Sequence, residues 1–209
     1  MKNCSLCVIL DRDTLKKRDL IKAAKEVLRG GADIIQYRDK LSRDMEFIEK
    51  ARALKKIVKS TGRIFIVNDR VDVAAAVGAD GVHLGQEDMP IRYARKIMGN
   101  KIIGVSSHSR LEAHRAVKDG ADYIGIGPIF RTPGKPGAKP IGLGSLKSIT
   151  SKICIPVFAI GGVNLKNIAV LKENGIKNIA VISAAIKDKN VYNSVSRLKR
   201  ELKSTHRAK

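Results

Sequence analysis

Hydrophobic and polar positions divide the chain into short apolar runs that alternate with longer amphipathic stretches. Eight of the runs are rich in β-branched residues, as buried strands are. They read CSLCVIL, DIIQY, RIFIVN, GVHLG, KIIGV, DYIGIG, IPVFAI and NIAVIS. The stretches between them place apolar residues three and four positions apart, which is typical of a helix with one buried face, and they include 18–29, 43–59, 91–98, 109–118, 165–173 and 190–203.

The candidate strands are apolar along most of their length, which indicates burial on both faces and therefore a parallel sheet. Eight strand–helix units in 209 residues average about 26 residues each, close to the minimum for a strand, a helix and two loops. We therefore predict an α/β fold, a single-domain (β/α)8 or TIM barrel, rather than an open doubly wound sheet. The domain is expected to cover 1–209, with a basic C-terminal tail from about residue 204.

A short internal repeat supports this division into units. Gly-Ala-Asp stands at 31–33, 78–80 and 120–122, and intervals of about two units would place it before the second, fourth and sixth strands. Gly175 holds the corresponding place before the eighth strand. We expect each glycine to end the preceding helix in the left-handed conformation.

Charge changes the picture of possible partners. The chain has 41 lysines and arginines against 20 acidic residues, a net charge of +21, which favours anionic partners such as phosphorylated metabolites or nucleic acid. The basic residues are spread along the whole sequence, and aromatic residues for base stacking make up 4%. A solvated basic surface is thus preferred to an RNA-binding one, and a homo-oligomer is left open.

The sequence predicts neither a membrane span nor a disulfide framework. The sequence lacks a run of about 18 apolar residues, so no membrane span is predicted. The three cysteines are too few for a disulfide framework, which suits a cytoplasmic protein. Cys4-x-x-Cys7 has no second ligand pair, so we interpret it as part of the first strand rather than as a zinc site.

Polar side chains cluster where the candidate strands end. In a (β/α)8 barrel the active site is built at the carboxyl ends of the strands, so these are the candidate site residues. They follow strands two to eight and comprise Gln36, Arg38, Lys40, Asn68, Asp69, Asp88, Ser106, Thr132, Lys135, Gly162, Ile182 and Ser183.

Two anion sites are predicted from this set. Gly161-Gly162 after strand seven and Ile182-Ser183 after strand eight would bring backbone N–H groups to a phosphate, although the glycine pair alone is equally compatible with a tight turn. Arg38 and Lys40 beside Asp69 and Asp88 would form the second site, a pocket for Mg²⁺ and a diphosphate, because Mg²⁺ is held by one or two carboxylates together with substrate phosphates. A structural network of ion pairs is the alternative for this second set.

The histidines add little. His83 lies within a strand and is interpreted as a packed core residue, whereas His108 lies on a loop and could line the site. Neither a Ser-His-Asp arrangement nor a metal-binding histidine pair is present, so hydrolase and zinc chemistry are unsupported.

The motifs resemble those of the thiamine phosphate synthase family over nearly the whole chain. QYRDK is similar to the family's pyrimidine diphosphate motif, VNDRVDVAAAVGADGVHLGQED to its longest signature, and GVSSHS to its serine contact. The resemblance implies pyrimidine diphosphate binding by Gln36, Arg38, Lys40, Asn68, Ser106 and Lys135, and Mg²⁺ binding by Asp69 and Asp88. YIGIGPIFRTPGKPG, AIGGV and AVISA are similar to the segments that contact the thiazole phosphate, here through Thr132, Gly162, Ile182 and Ser183.

One position departs from the family pattern. The loop after strand six often reads Thr-x-Thr-Lys in the family, and Gly134 stands where the second threonine would be. We expect a weaker or differently ordered phosphate contact there, for which Arg131, in place of a commonly seen proline, would compensate.

The resemblance implies a transferase that joins hydroxymethylpyrimidine diphosphate to hydroxyethylthiazole phosphate, with pyrophosphate leaving first and Arg38, Lys40 and Lys135 as the catalytic residues. A thiazole tautomerase of the same fold is the nearest alternative, and it lacks the diphosphate transfer. A basic RNA-associated protein on a barrel scaffold is the alternative from another class, suggested by the charge alone.

Overall fold

The computed structural model of the chain describes residues 1, 4–134 and 136–204, and within them eight parallel strands close into a barrel in sequence order. The strands are β1 Leu6–Asp11, β2 Ile34–Arg38, β3 Ile64–Asn68, β4 Gly81–Leu84, β5 Ile102–Ser107, β6 Tyr123–Ile126, β7 Val157–Ile160 and β8 Ile179–Val181. The predicted (β/α)8 barrel and its eight strands are confirmed.

Helices on the outside cover the barrel. They are α1 Arg12–Leu15, α2 Leu20–Arg29, α3 Asp44–Lys59, α4 Val71–Ala76, α5 Ile91–Met98, α6 Arg110–Lys118, α7 Leu143–Thr150, α8 Ile168–Glu173, α9 Ser183–Ile186 and α10 Val191–Lys203. None of the described helices is long and apolar enough to span a bilayer. The predicted basic tail lies almost wholly outside the described residues, which end at Ser204.

The helix after β7 begins later than its apolar periodicity predicted. The pattern suggested a start at 165, whereas α8 begins at Ile168. Asn167 explains the difference, because its side chain accepts a hydrogen bond from the backbone N–H of Asn164 at 2.8 Å and folds the intervening residues into a turn.

Side chains inside the barrel change from apolar to polar toward the carboxyl ends of the strands. The apolar part of the interior contains Cys7, Ile9, Ile34, Ile66, Tyr123, Phe158 and Ala180. Further along the strands come buried polar residues, among them Asp11, Gln36, Asn68 and His83. Burying polar groups is costly unless they are paired, so this end of the barrel is where function is expected.

The Gly-Ala-Asp repeat has a structural role at the opposite end. Gly31, Gly78 and Gly120 have positive φ, as does Gly175, which confirms the predicted helix caps. Each following aspartate accepts a hydrogen bond from a backbone N–H at the start of the preceding odd-numbered strand: Asp33 from Leu6, Asp80 from Phe65 and Asp122 from Ile103, at 2.7–2.9 Å. The repeat therefore joins neighbouring strands at the amino-terminal end of the barrel.

Candidate active site

Two carboxylates meet beside a lysine where β3 and β4 end. Asp69 has a φ of 63°, and its backbone N–H donates to the carbonyl of His83 at 2.8 Å, which fixes the turn after β3. The carboxyl of Asp88 lies within hydrogen-bonding reach of that of Asp69 and also accepts from the N–H of Gly85 at 2.6 Å. Lys40 Nζ lies 3.4 Å from Asp69 Oδ2.

Burial and the neighbouring Asp88 raise the pKa of Asp69 above its usual value, and Lys40 offsets this only in part. Lys40 therefore neutralises the negative charge of the two carboxylates only in part, and a divalent cation bound between them would neutralise the rest. Among the described residues no three metal-binding side chains come together. A cation held here would take one or two protein carboxylates and complete its shell with substrate oxygens and water, as Mg²⁺ does. The residues present fit Mg²⁺.

Arg38 is the last residue of β2, the strand that neighbours β3. Its guanidinium forms an ion pair with Asp11, the last residue of β1, and 34% of its side chain remains exposed. Asp11 was not among the predicted site residues. It lies directly opposite Arg38 in the register of the two strands.

A chain of polar side chains runs through the barrel interior below the rim. The carboxamide of Gln36 hydrogen-bonds the hydroxyl of Tyr123, which lies 2.9 Å from His83 Nδ1, and His83 Nε2 lies 2.9 Å from Ser106 Oγ. Burial raises the pKa of Tyr123 well above its usual value, so the hydroxyl stays protonated.

His83 is buried, as predicted, but it belongs to this polar chain as well as to the core. Tyr123 was missed as a candidate site residue. The signal was present in the sequence, because alternate residues of a strand share a face and the two residues after Tyr123 on that face are glycines, Gly125 and Gly127.

The loops after β6 and β7 pack closely at the predicted phosphate site. Gly161 and Gly162 have φ of 91° and 69°, and a Cβ on Gly162 would lie 2.6 Å from the carbonyl oxygen of Arg131. Both Asn164 and Asn167 donate a side-chain N–H to the carbonyl of Gly162 at 2.9 Å, which fixes this peptide. Glycine is required here both for its conformation and for the close approach.

The residues that follow β8 form the other part of the predicted phosphate site. The register pairs Ile160 with Ala180 near the ends of the two strands, and Ile182 follows β8 directly. Ser183 begins α9 directly after β8 and is exposed. After β7, by contrast, the turn at 164–167 separates Gly162 from α8, so no helix begins directly after the glycine pair.

The loops after β5 and β6 carry three further candidate residues, His108, Thr132 and Lys135. Thr132 is half-buried, and its Oγ1 accepts from the backbone N–H of Gly134 at 3.3 Å. Lys135 lies outside the described residues. His108 is on an exposed loop, with Nδ1 2.6 Å from the carbonyl oxygen of Gly127.

The predicted site residues that the structure describes lie near the carboxyl ends of strands β2 to β8 or in the segments that follow, apart from Gln36 in the middle of β2. Parallel strands in a closed barrel share one such rim. The rim combines the end of β2, which carries Arg38 and Lys40, with a carboxylate pair and a glycine-lined turn after β7. These features define a class: (β/α)8 barrel enzymes that act on phosphorylated small molecules.

Comparison with known proteins defines the family. Residues 6–185 match the family model of thiamine monophosphate synthase. The thiamine-phosphate synthase of Chloroflexus aurantiacus is 47% identical over 87% of this chain and 84% of its own length, and that of Clostridium tetani is 43% identical over 94% of each. The structure of thiamine phosphate pyrophosphorylase from Pyrococcus furiosus superposes with a TM-score of 0.88, at 42% identity over 95% of both chains. The chain belongs to the thiamine monophosphate synthase family, and its activity is thiamine-phosphate synthesis, a transferase reaction.

Proposed function

We propose that the protein condenses hydroxymethylpyrimidine diphosphate with hydroxyethylthiazole phosphate, releasing pyrophosphate, with Mg²⁺ at Asp69 and Asp88. The observation that carries the proposal is the carboxylate pair beside Lys40, one strand away from Arg38. Two cations and two anions on adjoining strand ends suit a metal-bound diphosphate better than a bare anion.

The diphosphate is proposed to lie across the ends of β2 and β3 and the loop after β6. Arg38 and Lys40 bind its oxygens, Lys135 is expected to reach it from that loop, and Mg²⁺ held by the two aspartates would neutralise part of its charge. Gln36, Asn68 and Ser106 are proposed to orient the pyrimidine. Gln36 and Asn68 are buried in the interior and Ser106 is joined to His83, so these polar groups are held by the barrel itself.

The thiazole phosphate is proposed to sit in the cradle formed by Gly162, Ile182 and Ser183, with Thr132 at its edge. The fixed peptide of Gly162 supports this, because a preoriented backbone binds a phosphate without further ordering. In this arrangement the two substrates approach each other across the barrel mouth.

Charge on the leaving pyrophosphate grows as the bond to the pyrimidine methylene carbon breaks. Cations that are already in place stabilise that charge more in the transition state than in the bound substrate. Arg38, Lys40 and Lys135 are therefore proposed as the catalytic residues. The thiazole nitrogen then captures the pyrimidinylmethyl cation and forms the new carbon–nitrogen bond.

The proposal is tested by incubating the purified protein with both substrates and Mg²⁺ and measuring thiamine phosphate and pyrophosphate. Equal amounts of the two products are expected. Isomerisation of a thiazole carboxylate phosphate without pyrophosphate release would instead identify a tautomerase. Steep salt-dependent RNA binding without either product would identify the RNA-associated alternative.

We further propose that the protein works in the cytoplasm on small phosphorylated substrates, without a membrane or nucleic-acid partner. Its three cysteines stand as free thiols, which is consistent with a reducing compartment. The basic surface is proposed to be solvated and to favour the approach of anionic substrates.

A further inference from the structure

We propose that Asp11 is a positioning residue that holds the guanidinium of Arg38 toward the diphosphate. The inference rests on the proposed function, in which Arg38 binds that group. It adds a residue from β1, a strand that contributes nothing to the predicted site.

The carboxylate of Asp11 is itself fixed from the opposite side. Its Oδ2 accepts hydrogen bonds from the backbone N–H of Thr14 at 3.0 Å and from the hydroxyl of Thr14 at 2.7 Å, so that Asp11 caps the N-terminus of α1. Its Oδ1 accepts from Nη1 of Arg38. Each carboxylate oxygen therefore has its own partner, and the side chain bridges a helix end to an arginine.

The two residues differ in exposure in a way that suits this role. The side chain of Asp11 is 7% exposed, whereas that of Arg38 is 34% exposed. The carboxylate is thus the rigid member of the pair and the guanidinium is the member that reaches the barrel mouth. The guanidinium has five N–H donors, so an ion pair through Nη1 leaves others for phosphate oxygens.

Positioning matters because arginine is long and flexible. An unrestrained arginine loses its rotamer freedom when the substrate binds, and this loss weakens affinity. Asp11 imposes most of that ordering before binding. A lysine at position 38 would not reproduce the arrangement, because an ammonium lacks the planar fork of donors.

The test is a double-mutant cycle with Asp11→Ala, Arg38→Gln and the double variant, using Michaelis constants for each substrate. Asp11→Ala is expected to raise KM for the pyrimidine diphosphate on the order of tenfold, the effect of disordering one long side chain, and to leave KM for the thiazole phosphate within about twofold. In the Arg38→Gln background the same change is expected to have almost no further effect on KM, because its target is gone.

Two further variants separate positioning from folding. Asp19→Ala removes an aspartate that caps α2 through the N–H groups of Ile21 and Lys22, and it is expected to lower Tm without changing either KM. Asp11→Asn keeps an acceptor for Thr14, so its Tm is expected to be higher than that of Asp11→Ala. Its KM for the pyrimidine diphosphate is expected to lie between those of the unmodified protein and Asp11→Ala.

Independent, multiplying effects of Asp11→Ala and Arg38→Gln on KM would overturn the inference, as would an equal rise in both Michaelis constants. Titration of each variant with pyrophosphate and Mg²⁺ gives a second reading that does not depend on turnover, and Asp11→Ala should bind about tenfold more weakly. An unmodified protein that makes no thiamine phosphate would overturn the proposed function and this inference together, whereas an active protein with an additive cycle would overturn this inference alone.

Discussion

The ring of Tyr123 fills the space that a side chain on Gly104 would occupy. The two residues are paired across β5 and β6, and a Cβ built on Gly104 would lie 2.0 Å from Cζ of the tyrosine and 2.5 Å from its hydroxyl oxygen. The ring is 2% exposed and has no room to move away. The absence of a side chain at position 104 is therefore what allows Tyr123 to reach His83.

Gly104→Ala is expected to destabilise the protein by about 1–3 kcal/mol, because overpacking a filled core forces its neighbours to shift. It should also raise KM for the pyrimidine diphosphate, since Tyr123 supports the polar chain that ends at Ser106. Gly144→Ala is the matched control: a Cβ there meets no atom within 4 Å, and the exposed site lies in α7. Urea unfolding should show the control unchanged or slightly more stable. An equally stable Gly104→Ala variant would contradict the argument.

Asp69→Asn and Asp88→Asn are expected to lower turnover by about 10²-fold or more while the barrel stays folded, because Mg²⁺ needs these ligands and the fold does not. Asparagine is the suitable replacement. It tolerates the positive φ at position 69, and at position 88 it keeps an acceptor for the N–H of Gly85. Activity should be measured against Mg²⁺ concentration, and folding by circular dichroism.

Asp72→Asn is the control for these variants, because Asp72 lies three residues beyond Asp69 on α4 and pairs with Arg70 in an exposed ion pair. Its activity should stay within about twofold of the unmodified protein, since exposed ion pairs contribute little. Loss of the circular dichroism signal in both rim variants would favour a structural ion-pair network instead.

Lys135→Ala is expected to lower turnover by about 10²-fold, by analogy with removing one preorganised donor to a developing negative charge. Lys139 belongs to the same loop and is exposed, so Lys139→Ala controls for a general loss of positive charge. Turnover is compared at saturating concentrations of both substrates. If the two variants behave alike, Lys135 has no special role.

The sequence pattern predicted the barrel well because the fold depends on which residues are apolar and how they are spaced. It did not reveal Asp11, since the apolar run that marks β1 ends at Leu10 and the importance of the next residue comes from its register with Arg38. The pairing of β1 with β2 brings together two residues that are 27 positions apart in the sequence, and the local spacing of apolar residues does not predict which residues pair. Tyr123 was missed for a related reason: its role depends on Gly104 of the neighbouring strand, which makes room for its ring.

The carboxylate of Asp39 gives a prediction about stability and pH. Burial alone would raise its pKa, but hydrogen bonds from the Ser42 hydroxyl, the N–H groups of Leu41 and Ser42 and the Tyr37 hydroxyl outweigh this and hold the pKa at about 2. A carboxyl whose pKa is lower in the folded state than in the unfolded one, near 3.8, stabilises the fold above that value. The contribution is lost as the pH falls from about 4 to about 2.

Asp39→Asn should therefore be less stable than the unmodified protein at pH 7 by on the order of 1–3 kcal/mol, and the difference should shrink as the pH falls through this window. Urea unfolding at several pH values measures the difference. Glu49→Gln, at an exposed position on α3, should show a small difference at every pH. A difference for Asp39→Asn that is constant with pH would rule out the ionised carboxylate as its cause.

The Gly-Ala-Asp repeat predicts a loss of stability that is separate from catalysis. Asp80 accepts from the backbone N–H of Phe65 at 2.8 Å and pairs with Lys55, at the end of the barrel opposite the rim. Asp80→Ala leaves a buried donor unsatisfied and should cost about 1–3 kcal/mol, with kcat and both Michaelis constants unchanged. Asp119→Ala, at the exposed end of α6, should change neither quantity. Urea unfolding and steady-state kinetics on the same preparations provide the measurement. A fall in kcat at full stability would mean that this end of the barrel acts on the site, because parallel strands connect the two ends directly.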